Sequence, residues 1–390
     1  MNRTLLSAGC AVVLAAGCAA PEVRTPPPHT GDPVVDGRAM VDHVPARDRV
    51  LWQYKTAATA MRRGQFAEAR ALLDEALVTL GGTQGPDATA RRARSLFKEE
   101  AKKTFIGEPY ERVMAYYYRG ILYWMDGEPD NARACFRSAQ IYDADTEKSE
   151  YAADYALLDY LDAFATAKLG DDGSAAFERA KKESKLEAPP ACNPKANVLC
   201  FVEYGEGPRK YAAGQYREQL RFRPGATQAA AAAVTIDGQT VRARPYDDLY
   251  FQATTRGGRV MDHVLANKAV FKKSTDAAGD VGIVSGAILA SQGGRHSPAD
   301  EIGLGLLAAG LVSKLASAAT RPQADIRTWD NLPQYLSFAA FELPPGQHTV
   351  TIDFFNHAGA RLANLGKTLQ VTVPPAGGRD VVVFASDHNL

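Results

Sequence analysis

Val113-Met-Ala-Tyr116-Tyr117-Tyr118-Arg-Gly120-Ile-Leu-Tyr123-Trp124-Met-Asp-Gly127-Glu-Pro-Asp-Asn-Ala132-Arg-Ala-Cys135-Phe136-Arg-Ser-Ala139-Gln-Ile-Tyr142 decides how the first half of the chain folds. Tyr116, Gly120 and Tyr123 fall on one helix, Gly127 makes a turn, and Ala132, Phe136 and Ala139 mark a second helix. The physical reason is packing. Small residues let two helices approach closely, while an aromatic side chain fills the notch between them. Cys135 sits on the apolar side of the second helix and reads as a small core residue.

Two further stretches carry the same plan. Residues 57–77 have their turn at Gly64 and small residues at Ala69 and Ala76, without the early aromatic and glycine. Residues 151–182 turn at Gly170, with Phe177 and Ala180 behind it. These units resemble the tetratricopeptide repeat, which implies stacked helical pairs over residues 46–187. The turns at Gly64 and Gly127 lie 63 residues apart, against about 34 in that repeat. An extra charged helix over 87–104 is expected to fill the gap, its opposite charges supporting one another on a solvated face. Tyr116, Tyr117, Tyr123 and Trp124 are candidates for a partner-binding surface, because stacked repeats present a concave face. Packing between repeats is the commoner use of such residues.

The chain starts Met1-Asn2-Arg3, runs apolar from residue 5 to 16 and reaches Gly17-Cys18 through small residues. That is the form of a secretory signal, and it is too short to span a bilayer. The exit resembles the lipobox of bacterial lipoproteins, although Ala15 stands where the strongest examples carry Leu. The resemblance implies a signal over 1–17 and acylation of Cys18. Several acyl chains, at about 0.8 kcal/mol per buried CH₂, hold a protein firmly on a membrane. Residues 18–45 hold Pro21, Pro26-Pro27-Pro28, Pro33 and Pro45 and read as an extended tether. Ala19 after the cysteine implies an outer-membrane address facing the periplasm.

At 390 residues the chain has room for two or three domains. Lys plus Arg and Asp plus Glu are 45 each, for zero net charge, so there is no general pull on nucleic acid or anionic lipid. Residues 188–194 form a proline-rich break. Beyond it, 195–390 reads as a mixed α/β region: a strand over 198–204, a hairpin over 232–243 turning at Asp237-Gly238, and another strand over 247–254. A polar helix over 256–273 precedes a glycine-spaced helical hairpin over 281–316. Strands over 336–343, 347–355, 368–373 and 380–386 suggest an antiparallel sheet or small sandwich. The expected class is therefore α+β. Cys192 and Cys200 are candidates for a disulfide in an oxidising compartment.

Three motif pieces remain: Gly107-Glu108-Pro109-Tyr110-Glu111-Arg112, then Glu203-Tyr204-Gly205-Glu206-Gly207-Pro208-Arg209-Lys210, then Ala324-Asp325-Ile326-Arg327-Thr328-Trp329. With the helical units and Cys18 they resemble a group of uncharacterised bacterial outer-membrane lipoproteins with tetratricopeptide-like repeats and a C-terminal mixed domain. The resemblance gives Glu203, Gly205, Pro208, Lys210, Asp325, Arg327 and Trp329 structural roles, and it implies envelope assembly rather than a reaction. Phosphate loops, paired metal histidines and a nucleophile elbow are all missing from the sequence. The seven histidines, His29, His43, His263, His296, His348, His357 and His388, are scattered without metal-ligand spacing, so no cofactor or metal is expected. The expected function is a non-enzymatic scaffold that binds envelope proteins and touches the membrane through its lipid. A cell-wall enzyme without a recognisable motif and a membrane-active component using 281–316 are the alternatives.

Overall fold

The computed structural model describes residues 27, 29–81, 103–144, 151–186, 188–255 and 323–388. Most of the charged stretch 87–104, the polar helix over 256–273, the glycine-spaced hairpin 281–316 and the chain up to Cys18 lie outside these residues. The described part is α+β, with eight α-helices and three β units.

Seven helices come first. α1 (Pro33–His43) corrects the tether expected over 18–45. Asp32 accepts from the N–H groups of Val34 (2.8 Å) and Val35 (3.3 Å), and Pro33 occupies the first turn, where its missing N–H costs nothing. Val34 and Val41 are buried. Gly37 lets α1 approach α2 (Arg49–Arg62) so closely that an added Cβ would stand 2.4 Å from Thr56 Oγ1. A proline-rich composition hid this helix, because Pro33 is a helix start and not a breaker at that position.

α2 turns at Gly64 into α3 (Phe66–Gly81); α4 (Pro109–Met125) turns at Gly127 into α5 (Pro129–Asp143); α6 (Ala156–Lys168) turns at Gly170 into α7 (Ser174–Glu183). All three glycines have positive φ, between 69° and 83°, a backbone that side-chain-bearing residues resist. Gly120 of α4 sits against Phe136 of α5, where a Cβ would meet the ring at 2.5 Å.

Strands begin at Val198. β1 (Val198–Glu206), β6 (Pro245–Asp248), β7 (Pro333–Phe341) and β10 (Val381–Ser386) form one sheet in the order β10-β1-β7-β6. A second sheet, ordered β5-β4-β8-β9, contains β4 (Ala231–Ile236), β5 (Gln239–Ala243), β8 (Gly346–Phe355) and β9 (Lys367–Val373). β2 (Arg209–Ala213) and β3 (Gln219–Arg223) make a separate antiparallel ribbon. The last four strands thus divide between two sheets, and β10 lies parallel to β1. The expected strand over 247–254 is β6 followed by a short helix, α8 (Leu249–Thr254), capped by Asp248 accepting from Tyr250 N–H.

β1 fixes the layering. Leu199 and Phe201 face the helices in one apolar cluster, while Val198, Cys200, Val202 and Tyr204 face the second sheet in another. Period-two alternation sends neighbours to opposite faces. The order is helices, sheet, sheet, with β1 and β7 buried between. Helical and strand regions therefore share a core across the proline-rich break at 188–194.

Candidate functional site at the junction of helices and sheet

α4 begins with Glu108 as N-cap and Glu111 three places on, and the Glu108 N–H donates to Glu111 Oε2 at 2.6 Å, a reciprocal capping box. In most helices such a glutamate faces water. Here Glu111 is fully buried, and two other motif pieces close on it. Lys210 of β2 reaches Glu111 Oε2 at 2.6 Å, with the two side chains 1% and 0% exposed. Trp329 donates its backbone N–H to Glu111 Oε1 at 2.8 Å, and Lys210 also donates to the Arg327 carbonyl at 2.9 Å. Burial pushes the Glu111 carboxyl up and the Lys210 ammonium down. Three donors on one carboxylate oppose that push and favour its ionised form.

Arg327 binds Asp325 at 2.6 Å and Asp48 at 2.7 Å, and donates to the carbonyls of Arg47 and Lys103. Burial disfavours its charge, but Asp325 and Asp48 outweigh that and hold the guanidinium above its ordinary value. Trp329 is fully buried and stacks on Tyr54 of α2, with ring centroids 4.5 Å apart and planes at 19°. The three motif pieces, far apart in the chain, thus meet at one place.

Glu203 lies on the helix-facing side of β1. It accepts from Arg62 Nε at 2.7 Å and from the Tyr118 hydroxyl at 2.6 Å, with Arg62 and Glu203 each 1% exposed. Gly205 has φ +75° and gives its N–H to Asp387 at 3.0 Å. Burial raises the Asp387 carboxyl. Pro208 is buried beside Gly207, whose N–H bonds the Leu332 carbonyl at 2.8 Å.

Two more polar links cross the same boundary. Asp247 of β6 accepts from Ala156 and Leu157 N–H, at 3.0 and 2.9 Å, and so caps α6 from a strand far along the chain. Burial pushes its carboxyl up to about 8. Asp380 accepts from the Trp124 indole at 3.0 Å and from Lys168 at 2.6 Å.

Two of the four aromatic candidates, Tyr117 and Trp124, are corrected by this arrangement. Tyr117 and Trp124 are 1% exposed and both meet Phe201 of β1. Tyr116 stacks on Tyr142, and Tyr123 lies under the Arg119 guanidinium at 3.5 Å. Tyr117 and Trp124 are thus covered by the chain's own sheet, while Tyr116 and Tyr123 are half-buried. Cys192 and Cys200 are also corrected: they are free thiols, as is Cys135. Cys192 packs toward the helix-facing cluster and Cys200 toward the other, with the sheet between them. Burial raises them to about 11 and about 12 respectively, which suppresses the reactive thiolate.

Sequence reasoning found the motif pieces but not their meeting point, and it missed Arg62, Asp247 and Asp380. A buried glutamate beside Tyr204 in a mostly apolar strand was the available signal at Glu203. Among the described residues, a cleft of about 350 Å³ opens between α5, α6 and α7, lined by Arg137, Ile141, Leu158, Asp159, Asp162 and Arg179. Its charges are paired, Arg137 with Asp162 at 2.9 Å and Arg179 with Asp159 at 3.0 Å. No family model, no curated protein and no solved structure matches the chain.

Proposed function

We propose that this chain is an outer-membrane lipoprotein facing the periplasm, anchored through Cys18, that holds envelope proteins without catalysing a reaction. The observation that carries the reading is the position of the folded body relative to the cysteine. Asp32 caps α1 fourteen residues after Cys18, so an acylated cysteine keeps the start of the folded body within roughly 50 Å of the leaflet. The buried links at Glu111, Glu203, Asp247 and Asp380 support the scaffold half of the reading. They join helices to sheet and let a load on one layer pass to the other.

The helical pairs α2–α3, α4–α5 and α6–α7 are taken as tetratricopeptide-like units whose aromatic face has been turned inward. Partners then meet outward surfaces, among them the cleft beside Ile141, whose side chain is 67% exposed. Two measurements test the proposal. The intact mass of native protein should start at Cys18 and include acyl groups; an unmodified start removes the anchor. Envelope cross-linking read by mass spectrometry should recover the same partner peptides repeatedly from α5–α7, and recovery of the bait alone at matched expression sinks the scaffold role.

A further inference from the structure

The chain has no net charge, yet its charge is not evenly spread. Residues 209–223 fold as the β2–β3 ribbon and carry Arg209, Lys210, Arg217, Arg221 and Arg223 against Glu218 alone. Strand alternation sorts them. Lys210 and Phe222 are register partners and point inward, Lys210 to Glu111 and Phe222 edge-on to Tyr110 at 5.9 Å. These contacts fix the ribbon to the body through one face.

The other face holds what remains. Arg209 pairs with Arg223 and Tyr211 with Arg221 in the register, so all four side chains share it. Arg217 stands at the turn with φ +59°. Tyr211 is 44% exposed, and Arg217, Arg221 and Arg223 are exposed as well. Among the described residues none of these three arginines pairs with a carboxylate. Arg221 donates to Gln219, and the face's one ion pair is Arg209 with Glu206 at 3.4 Å. Like charges set opposite each other weaken a strand pair, and an anionic surface laid across them removes that repulsion.

We propose that this face of β2–β3 docks on an anionic phospholipid surface. Guanidinium groups bind phosphate through paired N–H donors, and an exposed tyrosine suits the headgroup level of a bilayer. The location rests on the Cys18 reading, and the geometry permits it. Arg209 donates to the Asp330 carbonyl, and Asp330 pairs with Lys55 midway along α2, while Asp32 pairs with Arg63 just beyond the C-terminal end of that helix. Fourteen residues of helix span about 21 Å, well inside the tether's reach of roughly 50 Å.

The test uses the mature chain from residue 18 with Cys18→Ser, which carries no acyl group, sedimented with vesicles. It should pellet with phosphatidylglycerol-containing vesicles, remain soluble with pure phosphatidylcholine, and be released by high salt. The Arg217→Gln/Arg221→Gln/Arg223→Gln variant should lose about a hundredfold in partitioning, at roughly fivefold per arginine. The matching lysine triple keeps the charge and should keep most of the binding. Lys181→Gln/Lys182→Gln/Lys185→Gln, on and just beyond α7, should change it far less. Equal pelleting with neutral vesicles, an unaffected glutamine triple, a lysine triple as weak as the glutamine one, or displacement by inorganic phosphate alone would overturn the proposal. A native protein without acyl mass would remove the anchor and leave this result standing, so the two failures are distinguishable.

Discussion

Glu111 shows how much one side chain can be asked to do. It caps its own helix, neutralises Lys210 and holds the backbone at Trp329. Removing one member of a buried ion pair strands the other, at a cost of about 3–5 kcal/mol. Lys210→Met should therefore lower stability by that amount, read as a shift of the urea midpoint with an unchanged slope; a loss below about 1 kcal/mol would mean that the pair holds nothing together. Glu111→Gln/Lys210→Met should not recover fully, because the backbone donors at Glu108 and Trp329 still lose a charged acceptor. His348 is the second residue-scale case. Its Nδ1 meets Asp237 at 2.5 Å and its Nε2 meets the Pro344 carbonyl at 2.8 Å. Both neighbours accept, so the doubly protonated ring satisfies both, and the Asp237 hydrogen bond raises its pKa. A base raised on folding contributes stability below its ordinary range and loses it as pH climbs through the raised value. Melting temperature should fall over that window, and His348→Gln should flatten the fall; an identical pH profile in the variant would refute the assignment.

At the scale of elements, close approach matters more than propensity. Gly120→Ala would gain up to about 1 kcal/mol of helix propensity, but its methyl would meet the Phe136 ring at 2.5 Å. Overpacking costs about 1–3 kcal/mol, so the clash wins and the variant should melt lower; a higher melting temperature would show that α4 and α5 can separate freely. Asp32→Ala should cost about 1 kcal/mol by removing the cap of α1. Faster amide exchange in α1 than in α2 is the measurement, and unchanged exchange would count against the cap. The helical pairs were legible in sequence because Gly64, Gly127 and Gly170 mark turns that few other residues make. α1 was not, since Pro33 and Gly37 read as loop until a cap and a neighbouring helix are known. The ribbon β2–β3 was equally hidden: its five-residue strands lack a continuous apolar face.

For the whole molecule, the shared core predicts one cooperative unit. Phe201 and Phe338 from the sheet lie among Tyr117, Trp124, Tyr160 and Phe164 from the helices. Fluorescence and far-UV circular dichroism should report coincident unfolding, and residues 27–186 expressed alone should aggregate or lack fixed packing. A soluble, cooperatively folding helical fragment would show that the break at 188–194 separates independent domains. Composition and local pattern determined by themselves that helices precede strands and that turns fall at particular glycines. Each is a matter of neighbours in sequence, of φ angles and of apolar period. Only the tertiary structure decided that Tyr117 and Trp124 face a sheet instead of a partner, that Cys192 and Cys200 lie on opposite sides of it, and that three remote motif pieces close on Glu111. Those outcomes depend on which surfaces meet between residues remote in the chain. There burial turns a capping carboxylate into the centre of a junction, and strand register gathers arginines on one face of a chain with no net charge.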